Sequence, residues 1–487
     1  MDMNLNRRSF LKFTGLGAAS LAWSGCITTH GEPADKDAKK PNIVLVMADD
    51  QGWGDTGYNG HERLKTPILD EMASSGLCFD RFYSAAPVCS PTRGSVLTGR
   101  HPNRYGCFSW GHTLRPQEVT VAEVLRTAGY RTGHFGKWHL GPVSADSSVS
   151  PGNSGFDEWF SSPNFFENSP LMSHNGKVVE TEGEGSLVTV EAALKFIRDS
   201  AGSEQPFLAV VWFGSPHSPY VALPEDRELY KDLPTNLQNY YGEITAMDRA
   251  VGLLRRELRE LGIAENTLLW YTSDNGGTGP GSTGGLSGKK GSLWEGGLRV
   301  PAIIEWPARI KSPAQTSIPC CTVDIYPTLL EIVGAKVERQ PKPLDGISLL
   351  PLFKGTMKVR SKPLGFWVYP EPGRGVKSTQ ILEELAKEQA GGAPSTAAKE
   401  APAKIARQYP EEVLPGHAAW LDNDYKLHRI PDKKGQVSYA LFDLAKDPNE
   451  KKDLAASEPR RLERMKAELE IWQKSVIKSL NGGDYHL

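Results

Sequence analysis

The chain has 487 residues, 39% hydrophobic and 23% charged, enough apolar material for a large core spread over two or three domains. Its 56 basic and 58 acidic residues leave a formal charge of −2, and no long basic run occurs beyond the N-terminus. That balance excludes nucleic acid as a main partner.

Residues 1–26 read as a targeting segment. Asn6-Arg7-Arg8-Ser9-Phe10-Leu11-Lys12 has the form of a twin-arginine (Tat) export motif, and the apolar stretch from Phe13 to Trp23 is too short to span a bilayer comfortably. Ser24-Gly25-Cys26 has the form of a lipobox end, which would make Cys26 a lipidated N-terminus, although Trp23 departs from the small or aliphatic residue usual there. The expectation is passage through the Tat translocon to the periplasm or cell surface, with lipid anchoring at Cys26 left open. A retained anchor helix is the alternative. Residues 27–40 are polar and charged and read as a tether.

The run from Asn42 to Ala48 is continuously apolar, as expected of a strand buried on both faces of a parallel sheet. Similar runs span Phe207–Phe213, Leu268–Thr272 and Val300–Glu305, and a further strand reads from Tyr130 to Lys137-Trp138-His139. Helical patterns lie between them at Val119–Ala128, Leu187–Ser200, Tyr241–Leu261 and Thr322–Ala335. Strands alternating with helices predict an α/β fold, a large, mostly parallel sheet sandwiched by helices, over residues 41–340. From 341 to 487 the texture changes. Leu364–Tyr369, His417–Ile430 and Ser438–Leu444 predict a smaller antiparallel sheet, closed by a helix near Glu458–Ser479. The stretch 371–416, rich in Gly, Ala, Pro and Lys, reads as an insertion, helical around Ile381–Gln389 and otherwise a loose linker.

Chemistry-bearing residues follow the strand ends. Asp49-Asp50 comes directly after the first strand and Asp274-Asn275 after the strand Leu268–Thr272, and ligands of open α/β sheets bind beyond the carboxyl ends of strands. Three carboxylates and an amide oxygen are hard donors suited to Ca²⁺ or Mg²⁺. In Cys89-Ser90-Pro91-Thr92-Arg93, Ser90 is a suitable N-cap and Pro91 suits the first helical position. Cys89 would then lie just ahead of a helix N-terminus, with Arg93 one turn in, an arrangement suited to an anion-binding nucleophile. In extended chain, Lys137 and His139 share a face. Ser215-Pro216-His217-Ser218-Pro219 follows another strand, and Lys289-Lys290 precedes Glu295-Gly296-Gly297.

Taken together, these patches resemble the type I, formylglycine-dependent sulfatases of the alkaline phosphatase superfamily, in the arylsulfatase and N-acetylgalactosamine-6-sulfatase branch. Cys89-Ser90-Pro91-Thr92-Arg93 matches the C-x-P-x-R maturation signature. The resemblance covers most of residues 41–335 and extends weakly to Tyr439–Leu454, where Asp447-Pro448-Asn449-Glu450 occurs. It implies that a formylglycine-generating maturation enzyme oxidises Cys89, and that the hydrated aldehyde is the nucleophile. It also implies Ca²⁺ held by Asp49, Asp50, Asp274, Asn275 and an oxygen of modified Cys89. Arg93 and Lys137 would contact sulfate, His139 would partner the formylglycine hydroxyl and His217 would help protonate the leaving alcohol. Lys290, with Lys289 as the alternative, would bridge sulfate and leaving oxygen. The implied activity is hydrolysis of sulfate monoesters, with sulfated glycans or aryl sulfates as substrates. One departure concerns recognition: Gly155-Phe156 leads to Ser161, Ser162, Asn164 and Phe165 with no match to the polar group that the aryl and galactosamine sulfatases carry there.

Two other readings compete. One is a formylglycine-dependent phosphonate monoester or phosphodiester hydrolase; the other is an unmodified lipoprotein that binds sulfated glycans without turnover. Cys78, Cys107, Cys320 and Cys321 remain beside Cys26 and Cys89, with three pairings open and no zinc pattern. Specificity is expected from the loops Trp110–Arg115 and Pro163–His174 and from the 371–416 insertion.

Overall fold

Four parallel strands lie side by side at the centre of the molecule: Thr267–Ser273, Asn42–Ala48, Phe207–Trp212 and Arg131–Lys137. The computed structural model describes residues 39–203, 205–393 and 407–485, so the export segment, almost all of the tether and residues 394–406 of the insertion lie outside the described residues. Residues 40–487 cluster as one compact unit.

The central strands belong to a ten-stranded mixed sheet. Its order is Ala314–Thr316, Leu77–Phe79, Ala302–Glu305, Thr267–Ser273, Asn42–Ala48, Phe207–Trp212, Arg131–Lys137, Glu158–Ser162, Met172–His174 and Lys177–Val179. The unbroken apolar runs are explained by burial on both faces. Ile43, Leu45 and Met47 join one core cluster, while Val44, Val46 and Ala48 join the other. Helices Gly185–Gly202 and Thr235–Glu260 cover the second face with residues such as Val190, Ile197, Ile244 and Leu254.

The register fixes where the strands end. Ala48 pairs with Ser273, and Met47 pairs with both Thr272 and Trp212. Asp49 and Asp274 therefore leave the sheet at the same level, held by Asp274 N–H to the Ala48 carbonyl (3.2 Å) and Asp49 N–H to the Ser215 carbonyl (3.0 Å). A slip of one residue would exchange the two faces of every strand, which the two-sided core forbids.

Two expectations change on contact with the structure. Val300–Glu305 is not one strand. Pro301 lacks an N–H, and the chain breaks there, so Arg299–Val300 joins a three-stranded sheet with Phe82–Tyr83 and Cys320–Cys321 while Ala302–Glu305 joins the main sheet. His417–Ile430 is a hairpin, Ala418–Asp422 and Tyr425–Pro431, turned at Asn423-Asp424 with Asn423 in the left-handed region (φ 51°). The helix expected around Ile381–Gln389 runs from Ser378 to Gln389, and its Leu382 and Leu385 enter the main core.

The antiparallel sheet of Leu364–Trp367, Ala418–Asp422, Tyr425–Pro431 and Val437–Asp443 packs with helix Pro459–Leu480 and contributes one buried charge cluster. Lys426 is fully buried and donates to Glu295 Oε1 (2.9 Å), with Glu450 Oε1 at 3.1 Å. Glu450 also accepts from the Glu295 N–H (2.6 Å) and lies 2.7 Å from His428 Nε2, while Tyr83 donates to Glu295 Oε2 (2.9 Å). Two buried carboxylates thus depend on one ammonium. Lys426→Met is expected to lower stability by about 3–5 kcal/mol, as removal of one partner from a buried pair does; a urea midpoint equal to that of the parent protein would refute this.

Candidate active site

The four strand ends meet the helix Cys89–Thr98. Every residue of this helix is buried, and it begins at Cys89 with Val88 as N-cap and no side-chain cap. Ser90 is therefore not the cap the sequence suggested. Its hydroxyl instead accepts from the Gly111 N–H (2.9 Å), and Thr92 Oγ1 donates to the Ala86 carbonyl (2.8 Å), tying the first turn to the loop before it. Cys89 is the first helical residue, 1% exposed, and lines the floor of the largest cavity described. Burial pushes its thiol up despite Lys137 and Lys290.

Three carboxylates and three cations share this floor. Arg93 donates from Nε and Nη2 to Asp274 Oδ2 (3.1 and 2.7 Å) and from Nη1 to the Lys137 carbonyl (3.0 Å), with its guanidinium 5.2 Å from the Trp212 ring centre. Lys137 Nζ donates to Asp49 Oδ2 (2.6 Å) and Lys290 Nζ to Asp50 Oδ1 (2.5 Å). Lys289 points elsewhere, to the carbonyls of Gly279 and Gly281 (2.8 and 3.0 Å), so Lys290 is the lysine that reaches the cavity.

Burial pushes the Asp49 carboxyl up to about 7; Lys137 opposes the shift, and the Asp274 and Asp50 charges add to it. Asp50 is buried too, but Lys290, His217, Lys137 and the Asn275 amide outweigh that effect and bring it down to about 2. Its backbone is left-handed (φ 66°), and its N–H donates to Asp274 Oδ1 (3.1 Å).

Both histidines face the same cavity, and they are held differently. The strand ends at Lys137 and His139 is left-handed (φ 54°), so it is this turn, not the alternation of an extended chain, that brings His139 to the cavity. Neither His139 ring nitrogen has a hydrogen-bond partner among the described residues, and burial, with Lys137 and Arg93 nearby, holds the ring neutral. His217 stacks on Phe165 (centroids 4.1 Å apart, 15° between planes), with Nδ1 2.6 Å from the Ser218 carbonyl and Nε2 3.8 Å from Asp50 Oδ2. Burial, then Lys137, brings its pKa down to about 4.

The donor set fits a hard divalent cation. Asp49 Oδ1 and Asn275 Oδ1 are buried acceptors without hydrogen-bond partners among the described residues, and ligand atoms of Asp49, Asp50 and His217 lie within 4.8 Å of one another. Asp274 is engaged by Arg93 and the Asp50 N–H, and Asn275 Nδ2 donates to Asp50 Oδ1 (2.8 Å).

Residues beyond the motifs complete the site. Asp55 accepts from Gly52 N–H (2.8 Å), Ser282 N–H (2.7 Å) and the Tyr240 hydroxyl (2.7 Å), shaping the loop that carries Asp50. The only sequence signal for Asp55 is its place in Gln51-Gly52-Trp53-Gly54-Asp55. The cavity wall comes from Trp110, from Asn164–Leu171 and from Gly375–Gln380 with Glu383. The insertion therefore lines the cavity together with the two loops from which specificity was expected. Cys78, Cys89, Cys107, Cys320 and Cys321 are all buried free thiols.

Comparison with known proteins agrees with this geometry. The sulfatase family pattern matches residues 41–335. N-acetylgalactosamine-6-sulfatase of Mus musculus is 35% identical over 366 residues, covering 66% of this chain and 68% of the relative. Arylsulfatase A of Homo sapiens is 34% identical over 377 residues, covering 70% and 73%. Among solved structures, Ps i-CgsB in complex with k-i-k-neocarrahexaose superposes with a TM-score of 0.75 at 25% identity, covering 91% of this chain and 97% of that one. A metal ion and a formylglycine are general to the family. The chain belongs to the sulfatase family and is a sulfuric ester hydrolase with an alkaline-phosphatase-like fold.

Proposed function

We propose that the enzyme removes sulfate from sulfated carbohydrates, using residue 89 after its oxidation to formylglycine and Ca²⁺ bound by Asp49, Asp50, Asp274 and Asn275. The observation that carries this reading is the convergence of Cys89, His139, His217, Lys290 and Asp50 on one cavity floor, with Arg93, Lys137, Asp49 and Asp274 packed directly beneath. The name of the relative N-acetylgalactosamine-6-sulfatase and the oligosaccharide in the Ps i-CgsB complex support the substrate class.

As formylglycine, residue 89 supplies a hydrated aldehyde, whose one hydroxyl attacks sulfur and whose other lets sulfate depart again. Arg93, Lys137 and Lys290 supply fixed positive charge where the sulfuryl oxygens become more negative, at no reorganisation cost during reaction. His217 stands at the leaving-group side. A bound ester brings negative charge beside this ring and raises its proton affinity, so His217 takes up a proton with the substrate and delivers it to the departing sugar oxygen. His139, neutral and with both nitrogens free of protein partners, accepts the proton of the residue-89 hydroxyl.

Residue 89 is 1% exposed in the folded chain, which supports oxidation before folding is complete. The Asn6–Lys12 pattern and Cys26 support Tat export of the matured enzyme to the periplasm or cell surface, with lipid attachment at Cys26.

Mass spectrometry of the tryptic peptide Phe82–Arg93, from protein made alongside a maturation enzyme, is expected to show an aldehyde in place of the Cys89 thiol. An unmodified thiol in catalytically active protein would overturn the mechanism. Chelation is expected to abolish turnover and Ca²⁺ to restore it, with Mg²⁺ as the comparison ion; full activity after exhaustive chelation would remove the metal from the account. His217→Ala is expected to lower kcat on sugar sulfates by about 10²–10⁴, the usual worth of general acid catalysis. On 4-nitrophenyl sulfate, whose leaving group needs no proton, the loss is expected to be far smaller. Equal losses on both substrates would take the acid role away from His217.

A further inference from the structure

Trp110 stands at the wall of the cavity above Cys89, 48% exposed. It is held from both sides. Its carbonyl accepts from the Arg374 N–H (2.8 Å), and the next residue, Gly111, donates to Ser90 Oγ (2.9 Å), one position from the nucleophile. The indole lies so close to Gly373 that a β-carbon there would stand 2.1 Å from its six-membered ring, and one at Gly111 (φ 72°) would stand 2.0 Å from the Arg374 carbonyl. The backbone of the insertion thus forms a bed for the ring while the rest of the indole stays open.

The same strap crosses to the opposite wall. The Val376 carbonyl accepts from Asn164 Nδ2 (2.9 Å), Ser378 Oγ accepts from the Asn164 N–H (3.0 Å), and Ser378 donates to the Phe165 carbonyl (2.9 Å). Asn164 is 7% exposed and lines the cavity, and its Oδ1 accepts no hydrogen bond among the described residues. Since Nδ2 is engaged, the amide is fixed as an acceptor in want of a donor. The cavity, about 1010 Å³, is at the upper end of the roughly 300–1,000 Å³ usual for small-molecule sites.

We propose that Trp110 and Asn164, joined by the strap 373–378, are specificity-determining residues for a pyranose: an apolar sugar face packs on the indole, and a sugar hydroxyl donates to Asn164 Oδ1. This rests on the sulfatase reading above and assigns the substrate to carbohydrates over simple aryl sulfates. An aryl ring offers no hydroxyl to Asn164, and it leaves a buried acceptor unpaired.

The test compares 4-nitrophenyl sulfate with the 6-sulfates of galactose, N-acetylgalactosamine and N-acetylglucosamine, using parent protein, Trp110→Ala, Trp110→Phe and Asn164→Ala. For the best sugar sulfate, the ratio of its kcat/KM to that of 4-nitrophenyl sulfate is expected to fall about tenfold in Trp110→Ala and in Asn164→Ala, mainly through KM, with recovery of most of the loss in Trp110→Phe. An unchanged ratio would overturn the inference, because a merely structural defect depresses both substrates together. Turnover of 4-nitrophenyl sulfate with none of the sugar sulfates would also overturn it and leave the sulfatase reading standing. Protein carrying formylglycine at position 89 that hydrolyses no sulfate ester would fail the reading itself.

Discussion

Three carboxylates buried within reach of one another repel strongly, and the rest of the site is arranged around that repulsion. Arg93, Lys137 and Lys290 each answer one or two of the acids Asp49, Asp50 and Asp274, which brings the floor close to neutrality while every member but the partly exposed Lys290 is buried. A divalent cation added to such a floor leaves surplus positive charge, and an anionic ester is the natural counterweight. Metal and substrate therefore favour each other through charge alone, in a medium where charge interactions are stronger than in water. Burial above all, with the neighbouring cations, keeps the two histidines neutral.

The repulsive cluster can be assembled because the sheet does the holding. Neighbouring parallel strands lie about 4.8 Å apart, so four adjacent strand ends fit within roughly 15 Å. Each side chain is then placed by a short departure from regular structure. Asp50 and His139 adopt left-handed backbone there, and the Asp55 carboxylate takes two N–H groups and a tyrosine hydroxyl to hold the Asp50 loop. Such strain persists only where surrounding structure over-determines it, as the two core clusters do here.

What could be read from the sequence follows from the same physics. Asp49 and Asp274 were legible because unbroken apolar runs locate buried strands, and buried strands have only one kind of end. The helix that opens at Cys89 was legible too, but its cap was not, since Ser90 answers to Gly111, a tertiary partner invisible along the chain. Alternation misplaced the geometry of His139, because periodicity describes a strand and says nothing about the residue that leaves it. The wall of the cavity was legible as segments, since Trp110, Asn164–Leu171 and Gly375–Gln380 fall in the three stretches from which specificity was expected, but its shape was not. Residues 373–378 have no periodicity and a composition typical of linkers, and their shape comes from bonds to Trp110, Asn164 and Phe165. Lys426 and Glu450 likewise look like surface residues until the fold buries them together.

The groups that bury Cys89 are nearly all encoded after it. Asp274 and Arg93 close the floor, Gly291 N–H bonds the Pro87 carbonyl, Ser95 meets Thr322, and the loop bearing Lys290 is locked through Glu295 by Lys426 and Glu450. A growing chain carries Cys89 in the open until those parts emerge. About 400 residues follow Cys89, and at 5–20 residues per second they take roughly 20–80 s to synthesise. The C-terminal sheet thereby acts as a timer: its late arrival sets how long the Cys89 thiol stays open to reagents before the finished fold withdraws it.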